Sequence, residues 1–187
     1  MKPAFFAIFA AVLLCGESVS FAKQLPNSPR VDIAALHARA ARGSVRAQND
    51  LGFMYAIGRG VRKDRAEAVR WFRMAAERGN ALAQNNLGFA YAQGEGVRKD
   101  YAEAVRWYRK GAEQGSAPAQ NGLGYMYSVG RGVERNYVEA GKWFLLAART
   151  RQESAERNYA RVQRFLTAAE REDVERMARV FRRGRPR

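Results

Sequence analysis

Between residues 43 and 150, apolar side chains recur with the spacing of one helical face. Ala47, Leu51 and Tyr55 step by four residues, and a second apolar run is built around Trp71. The stretch 58–64 between the two runs is rich in glycine and charged residues. Such a stretch interrupts a helix, because glycine adopts backbone angles that side chains resist. The pattern therefore predicts pairs of helices joined by polar turns.

The same pattern is written three times with a period of 36 residues, as 43–78, 79–114 and 115–150. The first two copies share 24 of 36 residues, far more than composition alone would give. A fixed period of this size is typical of solenoids, in which each unit needs a neighbour to cover its apolar face. We therefore predict an all-α fold, an αα solenoid formed as a right-handed superhelix of helix-turn-helix repeats, with capping helices at its ends.

Residues at the helix ends support this division. A capping residue directly after a glycine begins the first helix of each repeat, and glycines end it and shape the turn. The caps are Ser44, Asn80 and Ser116, the terminating glycines are Gly58, Gly94 and Gly130, and the turn glycines are Gly60, Gly96 and Gly132. The second glycine of each turn predicts a positive φ.

The second helix of each repeat opens with a sequence shaped like a capping box. In such a box the first side chain accepts from an amide one turn on, and the glutamate reaches back to the first residue's own amide. The three pairs are Asp64 with Glu67, Asp100 with Glu103, and Asn136 with Glu139. Each glutamate is followed three residues later by Arg or Lys, which predicts an exposed ion pair.

Shorter helices are predicted on both sides of the repeats. Residues 23–42 read as a linker followed by an N-terminal capping helix, which Ser28 and Pro29 would start. Residues 151–182 read as a C-terminal pair of capping helices, at about 152–166 and 168–182. We expect this pair to cover Leu145 and Leu146, and the alternative is that a partner contacts them. Residues 183–187 read as a basic disordered tail.

The first 22 residues have the features of a signal peptide. Lys2 precedes the apolar run 4–14, and Ser20 and Ala22 provide small residues for cleavage after Ala22. The run is too short to span a membrane as a helix, so we expect no stable transmembrane anchor. The protein is therefore expected to be exported, either to the periplasm or out of the cell. Cys15, which is the sole cysteine, lies inside this segment, so the mature repeats contain no thiol.

The composition is strongly basic, with a net charge of +15. A charge of this size favours acidic partners, whether proteins, polyanionic glycans or lipid head groups. Many of the cations fall in the turns between paired helices, which predicts a basic edge. They are Arg59, Arg62, Lys63, Arg98, Lys99, Arg131 and Arg135. The alternative is a solvated surface that keeps the array soluble.

No group of residues suggests catalysis, a cofactor or a metal. His37 is the sole histidine, no serine lies in a nucleophile elbow, and the carboxylates are accounted for by caps and ion pairs. The glycine turns lack the Lys-Ser/Thr of a phosphate-binding loop. Aromatic residues follow the core spacing and do not alternate with arginine, which argues against specific nucleic-acid binding. The sequence therefore predicts a non-enzyme without cofactor.

The repeat resembles the Sel1-like repeat (SLR), a relative of the tetratricopeptide repeat. The resemblance rests on three segments, namely Ala47-Gln48-Asn49-x-Leu51-Gly52-x-x-Tyr55, the turn Gly58-x-Gly60-Val61, and Ala66-Glu67-Ala68-x-x-Trp71 with Ala75 and Ala76. It recurs at 83–112 and 119–148. Members of this family are mostly adaptors or scaffolds, and exported bacterial ones are often tied to envelope processes. Some secreted members carry a disulfide in every repeat and have been linked to β-lactam chemistry, but these repeats lack cysteine.

The resemblance also implies a curved stack in which the first helices line a concave groove. In this groove we expect a row of asparagines beside a row of aromatic rings, with variable residues above and below them. The predicted contact residues are Arg46, Asn49, Phe53 and Ile57, then Leu82, Asn85, Phe89 and Gln93, then Asn121, Tyr125 and Val129, with Pro118 at the position that Arg46 and Leu82 hold in the other copies. Asparagine can donate to and accept from an extended peptide. The alternative is that the asparagines tie adjacent repeats together.

These features together predict a non-catalytic scaffold or adaptor of the bacterial envelope, or a secreted one. It would bind a protein or peptide in the concave groove, and the net charge favours an acidic one. The alternative is a polyanion-, glycan- or membrane-surface-binding factor that uses the arginine-rich edge and tail.

Overall fold

The computed structural model describes residues 32–150 and 153–183, with side chains up to Phe181. The predicted signal peptide, the linker with Ser28 and Pro29, and the last four residues of the predicted tail lie outside this range. Within it every regular element is a helix, and the helices stack in chain order. The prediction of an all-α solenoid is confirmed.

Nine α-helices are present in the described ranges. They are α1 (Ile33–Ala41), α2 (Val45–Ile57), α3 (Arg65–Glu77), α4 (Ala81–Gln93), α5 (Tyr101–Glu113), α6 (Ala117–Val129), α7 (Tyr137–Ala148), α8 (Glu153–Val162) and α9 (Ala168–Arg183). A short 3-10 turn, Gln163–Phe165, follows α8. The pairs α2/α3, α4/α5 and α6/α7 are the two helices of the three repeats, and each helix begins and ends within a few residues of its predicted position.

Most of the predicted N-caps form. The side chains of Ser44 and Asn80 accept from the amides three residues on, whereas Ser116 makes no such bond. Asp64 caps the second helix of its repeat by accepting from the amide of Glu67 at 2.9 Å. At the N-terminal cap, α1 is started by Asp32, which accepts from the amide of Ala35.

The prediction of reciprocal capping boxes in the repeats was wrong. The amide of Asp64 donates to the carbonyl of Tyr55 on the preceding helix, and the same bond recurs at Asp100 and Asn136. Because this amide is already satisfied, Glu67 does not bond to it and instead pairs with Arg70 at 2.7 Å, which is the predicted ion pair. A complete capping box forms at Thr167, whose amide donates to Glu170 while its hydroxyl accepts from the amide of Glu170.

The turns hold glycine for two reasons. Gly60, Gly96 and Gly132 all have a positive φ, between 69° and 73°. In addition, a Cβ at Gly96 would lie 2.1 Å from the carbonyl oxygen of Arg65 in the preceding repeat, and Gly132 is equally close to Tyr101. The turn of each later repeat therefore rests directly on the backbone of the repeat before it.

Within each repeat an aromatic ring from the second helix packs against a glycine of the first. A Cβ at Gly52 would lie 2.7 Å from the ring of Phe72, and the pair Gly124 and Phe144 has the same geometry. Leucines and alanines from both helices fill the layers between these rings, and Leu51, Leu87 and Leu123 are fully buried. This packing gives the continuous core that a solenoid needs.

The first helices of neighbouring repeats lie close to one another. Helix α4 packs against α6, α6 packs against α8, and α2 and α4 are joined by a hydrogen bond between Asn86 and Asn49. We call the exposed side of α2, α4 and α6 the inner face. Most of the residues predicted to line the groove lie on this face.

The C-terminal cap is formed by two helices that both pack on α7. Helix α8 continues the register of a first helix, one period after α6. Helix α9 covers the third repeat, since Ala178 and Phe181 share a cluster with the buried Leu146, and Phe181 meets the ring of Trp143 edge-on. The expected covering of Leu146 is therefore present, while Leu145 is half-buried.

Candidate functional site

The inner face contains four positions from each first helix. Helix α2 contributes Arg46, Asp50, Phe53 and Ile57, α4 contributes Leu82, Asn86, Phe89 and Gln93, and α6 contributes Pro118, Gly122, Tyr125 and Val129. All of these residues are exposed or half-buried. The four residues of each helix lie on one side of it, because residues three and four apart point the same way. Equivalent residues of the three helices form rows across the inner face.

Four of the predicted variable contact residues are clearly exposed. The side chain of Arg46 is 77% exposed, Leu82 and Val129 are 42% and 41% exposed, and Gln93 is also exposed. Ile57 and Pro118 are half-buried. An exposed large apolar residue on two of three helices gives the inner face a partly hydrophobic character.

The predicted asparagine row lies deeper than the rest. Asn49, Asn85 and Asn121 are only 7%, 5% and 4% exposed. Asn86 donates from Nδ2 to Oδ1 of Asn49 at 3.1 Å, and Asn158 donates in the same way to Asn121 at 2.9 Å. These bonds join first helices of adjacent units, which is the alternative that the sequence left open. They make the asparagines part of the seams between repeats.

The predicted aromatic row is divided between core and surface. Phe53, Phe89 and Tyr125 are half-buried, and each packs against a buried cluster. One side of each ring therefore stabilises the stack, and the remaining surface lies on the inner face between the variable residues. Rigid rings of this kind give contact area at little entropic cost.

One inner-face position was missed by sequence reasoning. It holds Asp50, Asn86 and Gly122, and Asn158 occupies the same place in α8. It lies one residue after the asparagine row, yet its side chains are half-exposed while the asparagines are buried. Its variation between copies was the available signal, because identical positions are mostly used by caps, turns and stacking.

Asp50 is the inner face's carboxylate. Burial raises the pKa of this side chain, and the bond from Asn49 together with the charges of Arg46 and Arg39 lowers it in part. Its ion pair with Arg46 is long, at 3.9 Å. The first repeat therefore presents a charged pair, whereas the second and third repeats present neutral groups at these positions.

The predicted basic edge is present in the turns, but several of its cations have partners. Arg131 lies over the ring of Tyr101, 5.2 Å from its centroid, and Arg135 lies over Tyr137 at 5.6 Å. Arg65, at the start of α3, pairs with Glu95 of the next turn at 3.1 Å. Part of this edge's charge thus connects neighbouring repeats.

His37 takes part in packing between the N-terminal cap and the first repeat. Its Nε2 lies 3.1 Å from the hydroxyl of Tyr55, and its ring meets Tyr55 and Trp71 edge-on. Across residues 32–150 and 153–183, no group of three or more His, Cys, Asp or Glu side chains is arranged to hold a metal ion. Among the helices of these residues, none has the length and apolar character to cross a membrane.

Comparison with family models identifies the repeat. The Sel1 repeat model matches residues 45–80, 81–116 and 117–149, which together make up more than half of the chain. The chain belongs to the Sel1 repeat family. Sel1-repeat proteins generally mediate protein–protein interactions, and the Sel1 repeat is a non-enzymatic scaffold fold. No curated protein gave a significant match.

Two solved structures of Sel1 repeats are similar to this chain in sequence as well as fold. One is a protective antigen of uropathogenic Escherichia coli strains with an SLR fold, which is 39% identical over 80% of this chain with a TM-score of 0.75. The other is a Sel1 repeat protein from Oxalobacter formigenes, 39% identical over 74% of this chain with a TM-score of 0.66. This chain spans 32% of the former and 56% of the latter.

A third solved structure shares the fold at lower identity. Cysteine-rich protein B of Helicobacter pylori is 24% identical over 66% of this chain, with a TM-score of 0.53. The Sel1 repeats of the present chain contain no cysteine. They are therefore held together by the glycine contacts, the buried rings and the asparagine bonds described above.

Proposed function

We propose that this Sel1-repeat protein is a non-catalytic scaffold of the bacterial envelope, or a secreted one, which binds a protein or peptide on its inner face. The observation that carries the proposal is the separation of chemistry between surfaces. Apolar and aromatic side chains reach the surface in parallel rows on α2, α4 and α6, and the turn cations lie on another edge. Such a partly apolar face with polar neighbours fits a polypeptide ligand.

The decisive experiment is capture of envelope proteins by the purified chain and by two variants. The inner-face variant is Leu82→Ser with Phe89→Ala, since both side chains reach the surface of α4. Because Phe89 also packs on the buried core, thermal unfolding must show that this variant stays folded at the capture temperature. The matched control is Met74→Ser on α3, because Met74 is 44% exposed and Leu82 is 42% exposed. Asn85 is unsuitable for this test, since its burial would make its loss a stability change.

We expect the Met74→Ser control to capture the same proteins as wild type, while the inner-face variant loses them by at least tenfold. Truncating surface aromatic and apolar anchors typically costs that much at an interface. Equal capture by both variants would exclude the inner face as the binding site.

A second candidate function is binding of a polyanion, whether a glycan or a membrane surface, along the basic edge. The observation that favours it is the exposure of Arg62, Lys63, Arg98 and Lys99 in two successive turns. Replacing Arg62 and Arg98 by glutamate should abolish retention on a heparin column at physiological salt. Under this hypothesis the same variant also loses its cellular partner, whereas the inner-face hypothesis expects that partner to be retained.

A further inference from the structure

The stack has three seams between successive first helices, and asparagine closes two of them. The first seam lies between α2 and α4, the second between α4 and α6, and the third between α6 and α8. Asn86 closes the first by donating to Asn49, and Asn158 closes the third by donating to Asn121. Both donors occupy the inner-face position that varies between copies.

In the second seam this position is Gly122, so the closing bond has no donor. Two polar groups lose their partners as a result. Oδ1 of Asn85 receives no bond from the next repeat. Nδ2 of Asn121 has no acceptor on its own helix, whereas Asn49 and Asn85 donate to Asp50 and Asn86 at 3.4 and 3.3 Å.

A third polar group reaches the same seam. Tyr108 takes the place that Phe72 and Phe144 hold in the other repeats. A Cβ at Gly122 would lie 2.7 Å from Cε1 of the Tyr108 ring, so the tyrosine and the glycine fit each other. Tyr108 is 94% buried, and its hydroxyl bonds to no residue in the described ranges.

None of these three groups is completely enclosed. The fully enclosed polar atoms without a partner, within the described residues, are one each on Gln48, Trp71, Ser116 and Ser154. The free atoms of Asn85, Tyr108 and Asn121 are not among them, so each retains contact with solvent. An acceptor, a donor and a hydroxyl without partners thus lie just below the surface of the second seam, on residues that are 4% to 6% exposed.

We infer that the second seam binds the side-chain carboxamide of an asparagine or glutamine in the polypeptide ligand. The ligand would supply the group that the protein itself supplies in the first and third seams. Its NH2 donates to Oδ1 of Asn85, and its carbonyl accepts from Nδ2 of Asn121 and from the hydroxyl of Tyr108. This inference rests on the proposed function, since the ligand must lie on the inner face.

A carboxamide fits this set better than other side chains do. A carboxylate has no donor for Oδ1 of Asn85, and an apolar side chain would cover all three groups without satisfying any. Sites built to hydrogen-bond one group reject analogues that leave buried polar atoms unpaired. Burial raises the pKa of Tyr108, so its hydroxyl keeps its proton and remains a donor throughout the physiological range.

The inference can be tested with blocked tripeptides by nuclear magnetic resonance. The 15N-labelled protein is titrated with acetyl-Ala-Asn-Ala-amide, its Gln counterpart, and the Asp and Ala counterparts. We expect the Asn or Gln peptide to shift the side-chain NH2 signals of Asn85 and Asn121 and the amide of Gly122, with at least tenfold tighter binding than the Asp and Ala peptides. The inference would be overturned by equal shifts from all four peptides. It would also be overturned if no peptide caused a shift at the highest concentration used, about 10 mM.

A double variant supplies the matched control. Tyr108→Phe combined with Gly122→Asn rebuilds the second seam with the pair found in the first, Phe72 with Asn86, and in the third, Phe144 with Asn158. It should fold with a Tm at least equal to that of wild type and lose the preference for Asn and Gln peptides. A retained preference would contradict the inference.

The same variants separate this inference from the proposed function. Suppose Leu82→Ser with Phe89→Ala loses the captured partner while the double variant keeps it with wild-type affinity. The inner face is then the binding surface and the carboxamide site is refuted. Full capture by both variants instead refutes the proposed function itself.

Discussion

Arg73 of the first repeat donates a hydrogen bond to the hydroxyl of Tyr91 in the second, at 3.0 Å. Arg109 and Tyr127 repeat this bond one unit later at 2.8 Å, and the third repeat has Leu145 and Gln163 at the same places. Tyr91→Phe removes the acceptor from a partly buried charged donor, so we expect the free energy of unfolding to fall by about 1 kcal/mol. Urea unfolding measures this change.

Tyr137→Phe is the control for this prediction. The ring of Tyr137 stacks on Phe165, and its hydroxyl bonds to no described residue. Loss of that hydroxyl should leave stability within about 0.5 kcal/mol of wild type. If Tyr91→Phe behaves like Tyr137→Phe, the arginine–tyrosine bond does not stabilise the interface between repeats.

Gly96→Ala should be among the most damaging single substitutions in the turns. The new Cβ would lie 2.1 Å from the carbonyl oxygen of Arg65, at a φ of 71°. We expect a loss of at least about 2 kcal/mol in thermal unfolding, because overpacking adds to backbone strain. Gly79→Ala isolates the strain: its φ is 87°, and nothing lies within 4 Å of the new Cβ. The free energy of unfolding of Gly79→Ala should fall by about 1 kcal/mol. Equal losses in Gly79→Ala and Gly96→Ala would mean that the close contact between repeats at Gly96 adds nothing to the effect of backbone strain.

Asp50→Asn should make the protein more stable at neutral pH. Burial raises the pKa of Asp50, so the folded protein holds this proton more tightly than the unfolded chain does. The stability that protonation contributes is present below the usual aspartate pKa of about 3.9 and is lost as pH rises through the raised folded value. Asp50→Asn introduces the residue that the second repeat has at this position, Asn86, and its side chain carries no charge that burial would penalise. Its advantage in chemical unfolding should shrink as pH falls from 7 to 3.

Glu170→Gln should show the opposite sign. The amide and the hydroxyl of Thr167 both bond to the Glu170 carboxylate and lower its pKa. Its stabilisation is present above the unfolded pKa and disappears as pH falls through the lowered folded value. Glu170→Gln should therefore reduce stability at pH 7. If Asp50→Asn and Glu170→Gln respond to pH in the same direction, burial does not dominate at Asp50.

Export is tested by the N-terminus of the protein recovered from its native compartment. We expect N-terminal sequencing to begin at Lys23 and Ala22→Arg to leave the precursor uncleaved, because a large charged residue blocks the small-residue site. Recovery of wild-type protein that still begins at Met1 would contradict the signal-peptide prediction.

Most of the fold could be predicted because its signals are local and repeated. Gly58 and Asp64 mark a helix end and a helix start by backbone conformation and capping alone, and both are where the sequence puts them. The reciprocal bond predicted for Glu67 failed, since the amide it would satisfy is taken by the carbonyl of Tyr55. That carbonyl belongs to the neighbouring helix, which a local sequence pattern does not describe.

The candidate site was harder to predict because it depends on differences of one residue. Asn85 and Asn86 are adjacent, yet the first is buried in a seam and the second is half-exposed. Adjacent residues on a helix point about 100° apart, and the sequence does not give the direction of the neighbouring helices accurately enough to say which of the two faces the seam. The role of Gly122 was invisible for another reason: its effect comes from Asn85 and Tyr108, both in the preceding repeat.

The pairing of Tyr108 with Gly122 also determines how this array can be shortened, extended or recombined. The two residues come from successive repeats, so a cut at Gly115 separates them, and removal of residues 79–114 would bring Phe72 opposite Gly122. A cut in the glycine turns keeps each second helix with the first helix that follows it. The unit that can be exchanged without mismatch therefore begins in one glycine turn and ends in the next. It contains the second helix of one repeat and the first helix of the following repeat.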